Sequence, residues 1–277
     1  MADSPENESP QLKEVWRCKL DQELAWIGKI VDKYSYIAMD TEFPGYLPSA
    51  TLILKTQIRY DDLRTNVNGT NFWQFNFCEF NVHKDAHNAQ SIKFLHDNGI
   101  DFVKNNEEGI DAVRFGEFLT SSGIVMNCGV HLITFQGAYD LGYLNHLIKL
   151  LSGCDLPETQ ADFMEKINAY FPIVYDVKHL MEFKNLHGGL NFLADVLGVE
   201  RVGVSHQAGS DSLVTCRTFL KLKETYFNGQ YPRTMLVFCM VSGIRMDTIG
   251  DTNEEKQIHI RILWLVIWVY NSIFTVD

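Results

Sequence analysis

Four strand-length runs of β-forming residues divide this chain, and the segments between them carry apolar residues at helical spacing. The runs are Tyr34–Met39, Phe72–Phe77, Val130–Phe135 and Ile173–Val177. Helical spacing begins near Val15 and continues through Trp16, Leu20, Leu24, Ile27, Ile30 and Val31. Further helices are predicted over Ser91–Asn98, Ile110–Ser121, Tyr139–Leu151, Gly189–Leu197 and Ser210–Tyr226. A strand cannot bury its apolar side alone, so this alternation, after an early antiparallel-looking pair, predicts an α/β domain: a mixed sheet flanked by helices. The sequence shows neither an internal repeat nor a glycine-rich nucleotide-binding loop.

With 277 residues, the chain is long enough for one substantial domain, and 46% hydrophobic with 21% charged residues is ordinary for a globular protein. The net charge of −11 speaks against a broad basic surface for nucleic acid. It is compatible with a site where carboxylates surround metal ions, because two divalent cations offset four carboxylates. Six widely scattered cysteines contain no C-x-x-C pair, so neither a zinc site nor a disulfide framework is expected. Residues 1–12 are polar and acidic and are expected to be disordered; they lack the basic and apolar regions of a secretory signal. Residues 13–227 form the expected domain, and 228–277 a divergent tail. That tail contains an apolar run, Ile262–Tyr270, well short of the roughly 20 residues that a spanning helix needs, so no membrane partner is expected.

Three acidic elements stand where this fold would place a site. Asp40 and Glu42 close the first run, and residues at i and i+2 of a strand share a face, so both can reach one cation. Asp140 follows the Val130–Phe135 run and a glycine-containing turn, at the strand-to-helix edge where open sheets bind ligands. His206-Gln-Ala-Gly-Ser-Asp211 puts an acid at the start of a late helix and a histidine in the loop before it. Taken singly, each has a plain alternative: solvated turn carboxylates, a first-turn helix acid, an exposed loop histidine. Together, four carboxylates and one base suit two-metal phosphodiester hydrolysis, with His206 accepting the proton of the attacking water.

At these residues the chain resembles the DEDD superfamily of 3′–5′ exonucleases, in its branch with a catalytic histidine. Within that superfamily it is similar to the poly(A)-specific ribonuclease (CAF-type deadenylase) subunits of the CCR–NOT complex, plant members above all. The resemblance is carried by Ala38–Gly45, Trp73–Phe77, Asn98–Phe102, Ser121–Val125, Thr134–Leu144, Val174–Met181 and His206–Leu213. It implies a ribonuclease-H-like fold, metal ligands Asp40, Glu42, Asp140 and Asp211, and His206 as general base. It further implies two Mg²⁺ or Mn²⁺ ions and stepwise removal of mRNA poly(A) tails with release of 5′-AMP. The implied partners are the NOT scaffold and the second deadenylase of the complex, and the implied compartments are cytoplasm and nucleus. Phe43 and Leu141, beside metal ligands, are candidate base contacts.

The similarity runs from about Val15 to Phe227 and departs from the family pattern twice. After Arg59–Val67 the family continues with an apolar strand, whereas here only Asn68–Phe72 intervenes, so a strand beside the Asp40 strand is expected to be missing. Beyond Phe227 the sequence is unlike the family's ending. Two alternatives stay open at this point: a catalytically impaired paralogue that serves only as a complex-binding subunit, or a DEDD exonuclease for another nucleic acid.

Overall fold

The computed structural model describes residues 11–31, 36–42, 55–56, 59–60, 71–85, 87–137, 140–142, 159–229 and 231. In chain order the elements are β1 (Gln11–Val15), α1 (Leu20–Ile30), β2 (Tyr36–Ala38), β3 (Lys55–Thr56), β4 (Arg59–Tyr60) and β5 (Asn71–Asn76). Then come α2 (Ala89–Asp97), α3 (Phe102–Glu108), α4 (Ala112–Ser121), β6 (His131–Thr134) and α5 (Gln160–Tyr170). The last are β7 (Val174–Asp176), α6 (Val177–Glu182), α7 (Leu190–Leu197) and α8 (Ala208–Phe227).

The strands form one mixed sheet in the order β1-β5-β4-β2-β6-β7, with β3 pairing against β5 off that path. Strands β2, β6 and β7 run parallel, with Ile37 opposite Leu132 and Leu132 opposite Val174. Side-chain alternation sends Ile37, Leu132 and Val174 into one core and Ala38, Ile133 and Tyr175 into another. The first core holds α1, α4 and the rings of Trp73, Phe75 and Phe77; the second holds α6, α7 and α8. Burial on both faces explains why these strands read as continuous apolar runs.

The position beside β2 is occupied. Residues 59–60 pair antiparallel with Ile37 and Ala38, and Arg59 also pairs with Phe72 of β5. The expectation of a missing neighbour is therefore corrected: a two-residue strand that precedes the shortened segment bridges β2 and β5. Other boundaries differ for local reasons. Helix α1 starts at Leu20, because Gln11–Val15 is recruited as a parallel edge strand on β5 and a 3₁₀ turn, Arg17–Lys19, follows. The polar residues of β5 do not face water: Gln74 and Asn76 are buried. Gln74 accepts a hydrogen bond from the Gly209 backbone N–H at 3.3 Å, so its polar side lies under the start of α8. The helix predicted over Tyr139–Leu151 is described only for its first turn, residues 140–142, and the rest lies outside the described residues, as do residues 1–10 and the run Ile262–Tyr270.

Candidate metal centre

Strand β2 ends at Ala38, and Met39 extends its pairing by donating to the Ile133 carbonyl at 3.0 Å. Carboxylate oxygens of Asp40, Glu42 and Asp211 lie within 4.8 Å of one another. Thr41, between the first two, donates from Oγ1 to Asp140 Oδ1 at 2.6 Å, which ties the fourth acid to the same strand end. Asp140 and Asp211 are 6% and 8% exposed, so their charge is largely withdrawn from water.

The electrostatics record that crowding. Burial holds the Asp40 carboxyl well above the ordinary range, and the charges of Asp140, Glu42 and Asp211 raise it further, while Arg201 opposes them. Asp140 is pushed up to about 7, chiefly by burial, against the hydrogen bonds from Thr41. Like charges gathered in a poorly solvated pocket resist ionisation. Hard oxygen donors converging in this way fit Mg²⁺ or Mn²⁺; Asp40, Glu42 and Asp211 could hold such an ion, and Asp140 adjoins them through Thr41.

Asp140 is aimed by a turn built on a residue absent from the sequence-derived site. Asp176, 2% exposed, caps α6 by accepting from the backbone N–H of Lys178 at 2.9 Å and His179 at 3.3 Å. It also accepts from Gln136 N–H, Gly137 N–H and Thr134 Oγ1, at 3.1, 2.7 and 3.2 Å. Burial raises its carboxyl too, and these bonds act against the rise. At Gly137 a Cβ would come within 2.4 Å of Thr134, so the turn needs glycine there. Leu141 N–H then bonds to the Gly137 carbonyl, starting the helix turn that carries Asp140. The available signal was an acid that closes a strand and opens a helix, an N-cap pattern.

His206 joins the centre through its backbone. Its φ of +63° lets its N–H return to Asp211 Oδ2 at 2.9 Å, while its exposed ring packs against Phe94 with centroids 4.7 Å apart. Gln207 Nε2 donates to the Asn98 carbonyl at 2.7 Å, which fastens this loop to the end of α2. Phe94, 45% exposed, was not picked out from sequence. Of the two candidate base contacts, Leu141 is 2% exposed within the first core, so packing accounts for it and the expectation of base contact is not supported. Phe43 lies outside the described residues.

A model of the CAF1 family ribonucleases matches residues 120–219. Probable CCR4-associated factor 1 homolog 7 of Arabidopsis thaliana is 50% identical over 251 residues, 80% of this chain and 90% of its own. Poly(A) ribonuclease pop2 of Schizosaccharomyces pombe is 35% identical, covering 81% of this chain and 73% of its own. Among solved structures, S. pombe Pop2p in its Mg²⁺- and Mn²⁺-bound form superposes with a TM-score of 0.74 at 34% identity, over 81% of this chain and 97% of that one. Yeast CAF1 co-crystallised with the NOT1 MIF4G domain gives 0.63 at 29% identity, over 81% and 92%. The fold is the ribonuclease-H-like mixed sheet of these nucleases. With such identity over nearly the whole of its plant relative, the chain belongs to the CAF1 family of ribonucleases.

Proposed function

We propose that the chain is a 3′–5′ exoribonuclease that shortens mRNA poly(A) tails by two-metal-ion hydrolysis, releasing 5′-AMP, as a catalytic subunit of the CCR–NOT complex. The observation that carries the reading is the convergence of Asp40, Glu42 and Asp211 oxygens within 4.8 Å, with Asp140 linked to them through Thr41. Bound divalent ions would supply a water of lowered pKa and neutralise charge developing on the phosphodiester. Asp40, Glu42, Asp140 and Asp211 hold those ions in place. His206, on the rim beside Asp211, takes the proton of the attacking water. The poly(A) substrate is supported by the name of the S. pombe relative, and Mg²⁺ or Mn²⁺ by the ions of its structure.

The yeast complex supports a NOT scaffold as partner. We further propose the second deadenylase of the complex as a partner, and cytoplasm and nucleus as the compartments. The test is direct. With Mg²⁺ and a 5′-labelled RNA ending in adenosines, the purified chain should yield a ladder of one-nucleotide steps, and Asp40→Ala should lower the rate at least 10³-fold. Equal rates on mixed-sequence RNA would sink the poly(A) assignment. A second reading, a complex-binding subunit without activity, is favoured by the shortened segment after residue 67; capture of the NOT scaffold without any cleavage would support it.

A further inference from the structure

We infer that Arg201 is a positioning residue that locks the plane of the Asp211 carboxylate and thereby sets the affinity of the centre for divalent cations. The inference rests on the reading of Asp211 as a metal ligand. Asp211 has both oxygens held by the protein: Oδ1 takes Arg201 Nη1 at 2.5 Å, and Oδ2 takes the His206 backbone N–H at 2.9 Å. A carboxylate fixed at both oxygens cannot rotate about its last bond, and each oxygen retains a lone pair for a cation.

Arg201 is itself anchored on three sides. Nη1 also donates to Ser210 Oγ at 2.7 Å, and Nη2 donates to Asn191 Oδ1 at 2.6 Å. Ser210 in turn donates to the Val202 carbonyl at 2.9 Å. The guanidinium thus spans the first turns of α7 and α8, and its side chain is only 20% exposed. The planar fork is what the site uses, because one nitrogen serves two acceptors while the other reaches a third. An ammonium keeps the charge but cannot hold these directions at once. Charge compensation alone would be satisfied by lysine, and positioning would not.

The experiment is a Mn²⁺ titration of the intact chain at 20 °C, reading free Mn²⁺ by electron paramagnetic resonance, with far-UV circular dichroism to confirm folding. Arg201→Lys is expected to weaken Mn²⁺ binding about tenfold, the lower end for loss of a partner behind a metal ligand. Asn191→Ala, which touches neither the charge nor Asp211, is expected to shift the midpoint the same way by less, and it carries the test should the lysine variant fail to fold. A folded Arg201→Lys chain with the unaltered midpoint would overturn the inference and leave the metal centre standing. Failure of the unaltered chain to bind Mn²⁺ would overturn both.

Discussion

Asp140, like Asp40, carries a carboxyl that burial holds above the ordinary range. Its folded carboxyl titrates near 7 against 3.8 for the free group, so between those values the folded chain holds a proton that the unfolded chain has lost. Stability from this group is therefore full below about pH 4 and declines as pH rises through 7, by an amount on the order of a few kcal/mol. In chelator, the melting temperature should fall over that interval more steeply than in saturating Mg²⁺, which compensates the ionised form. Asp140→Asn should flatten the metal-free curve; an unchanged slope would show that the carboxyl is not held this way. The grouping of Asp40, Glu42 and Asp211, with Asp140 beside them, was legible in sequence because each acid follows a strand end or opens a helix. Arg201 and Phe94 were not, because their relation to the centre depends on long-range packing: Phe94 lies 112 positions before the ring that it touches.

Asp176 shows how one buried side chain organises whole elements. It joins the end of β7, the start of α6 and the turn after β6, and five donors converge on its two oxygens. Asn in its place offers one acceptor oxygen and turns an NH₂ toward backbone donors, leaving buried N–H groups unpaired at about 1–3 kcal/mol each. Asp176→Asn should lower stability by roughly 2–4 kcal/mol in urea denaturation and reduce activity through the displaced Asp140 turn. Unchanged stability would refute the cap. At this scale the sequence revealed most of the long elements, but it missed α5, eleven residues long, as well as the short ones. Helices α3 and α6, seven and six residues long, are too brief to display a helical period, and each is fixed by an Asp cap instead. Strand β1 presents Leu12 to solvent and only Val15 to the core, so no alternation marked it.

For the whole molecule, the sheet is joined at its middle, among the described residues, by the two residues of β4. Strand β4 is the link between the β1-β5 edge, with its large aromatic core, and the β2-β6-β7 half that ends in the carboxylates. So short a strand contributes few ladder bonds, and its loss would leave β2 with an unpaired edge next to Asp40. A proline at residue 59 or 60, which removes a backbone donor and restricts φ, tests the link. The expected result is that thermal stability and Mn²⁺ affinity fall together, because the strand that breaks is the neighbour of the one that delivers Asp40 and Glu42. That joint loss differs from Arg201→Lys, where affinity should fall while the chain stays folded. Proline variants that keep both properties would mean that β2 is held from β6 alone, through the Ile37–Leu132 and Ala38–Ile133 pairs.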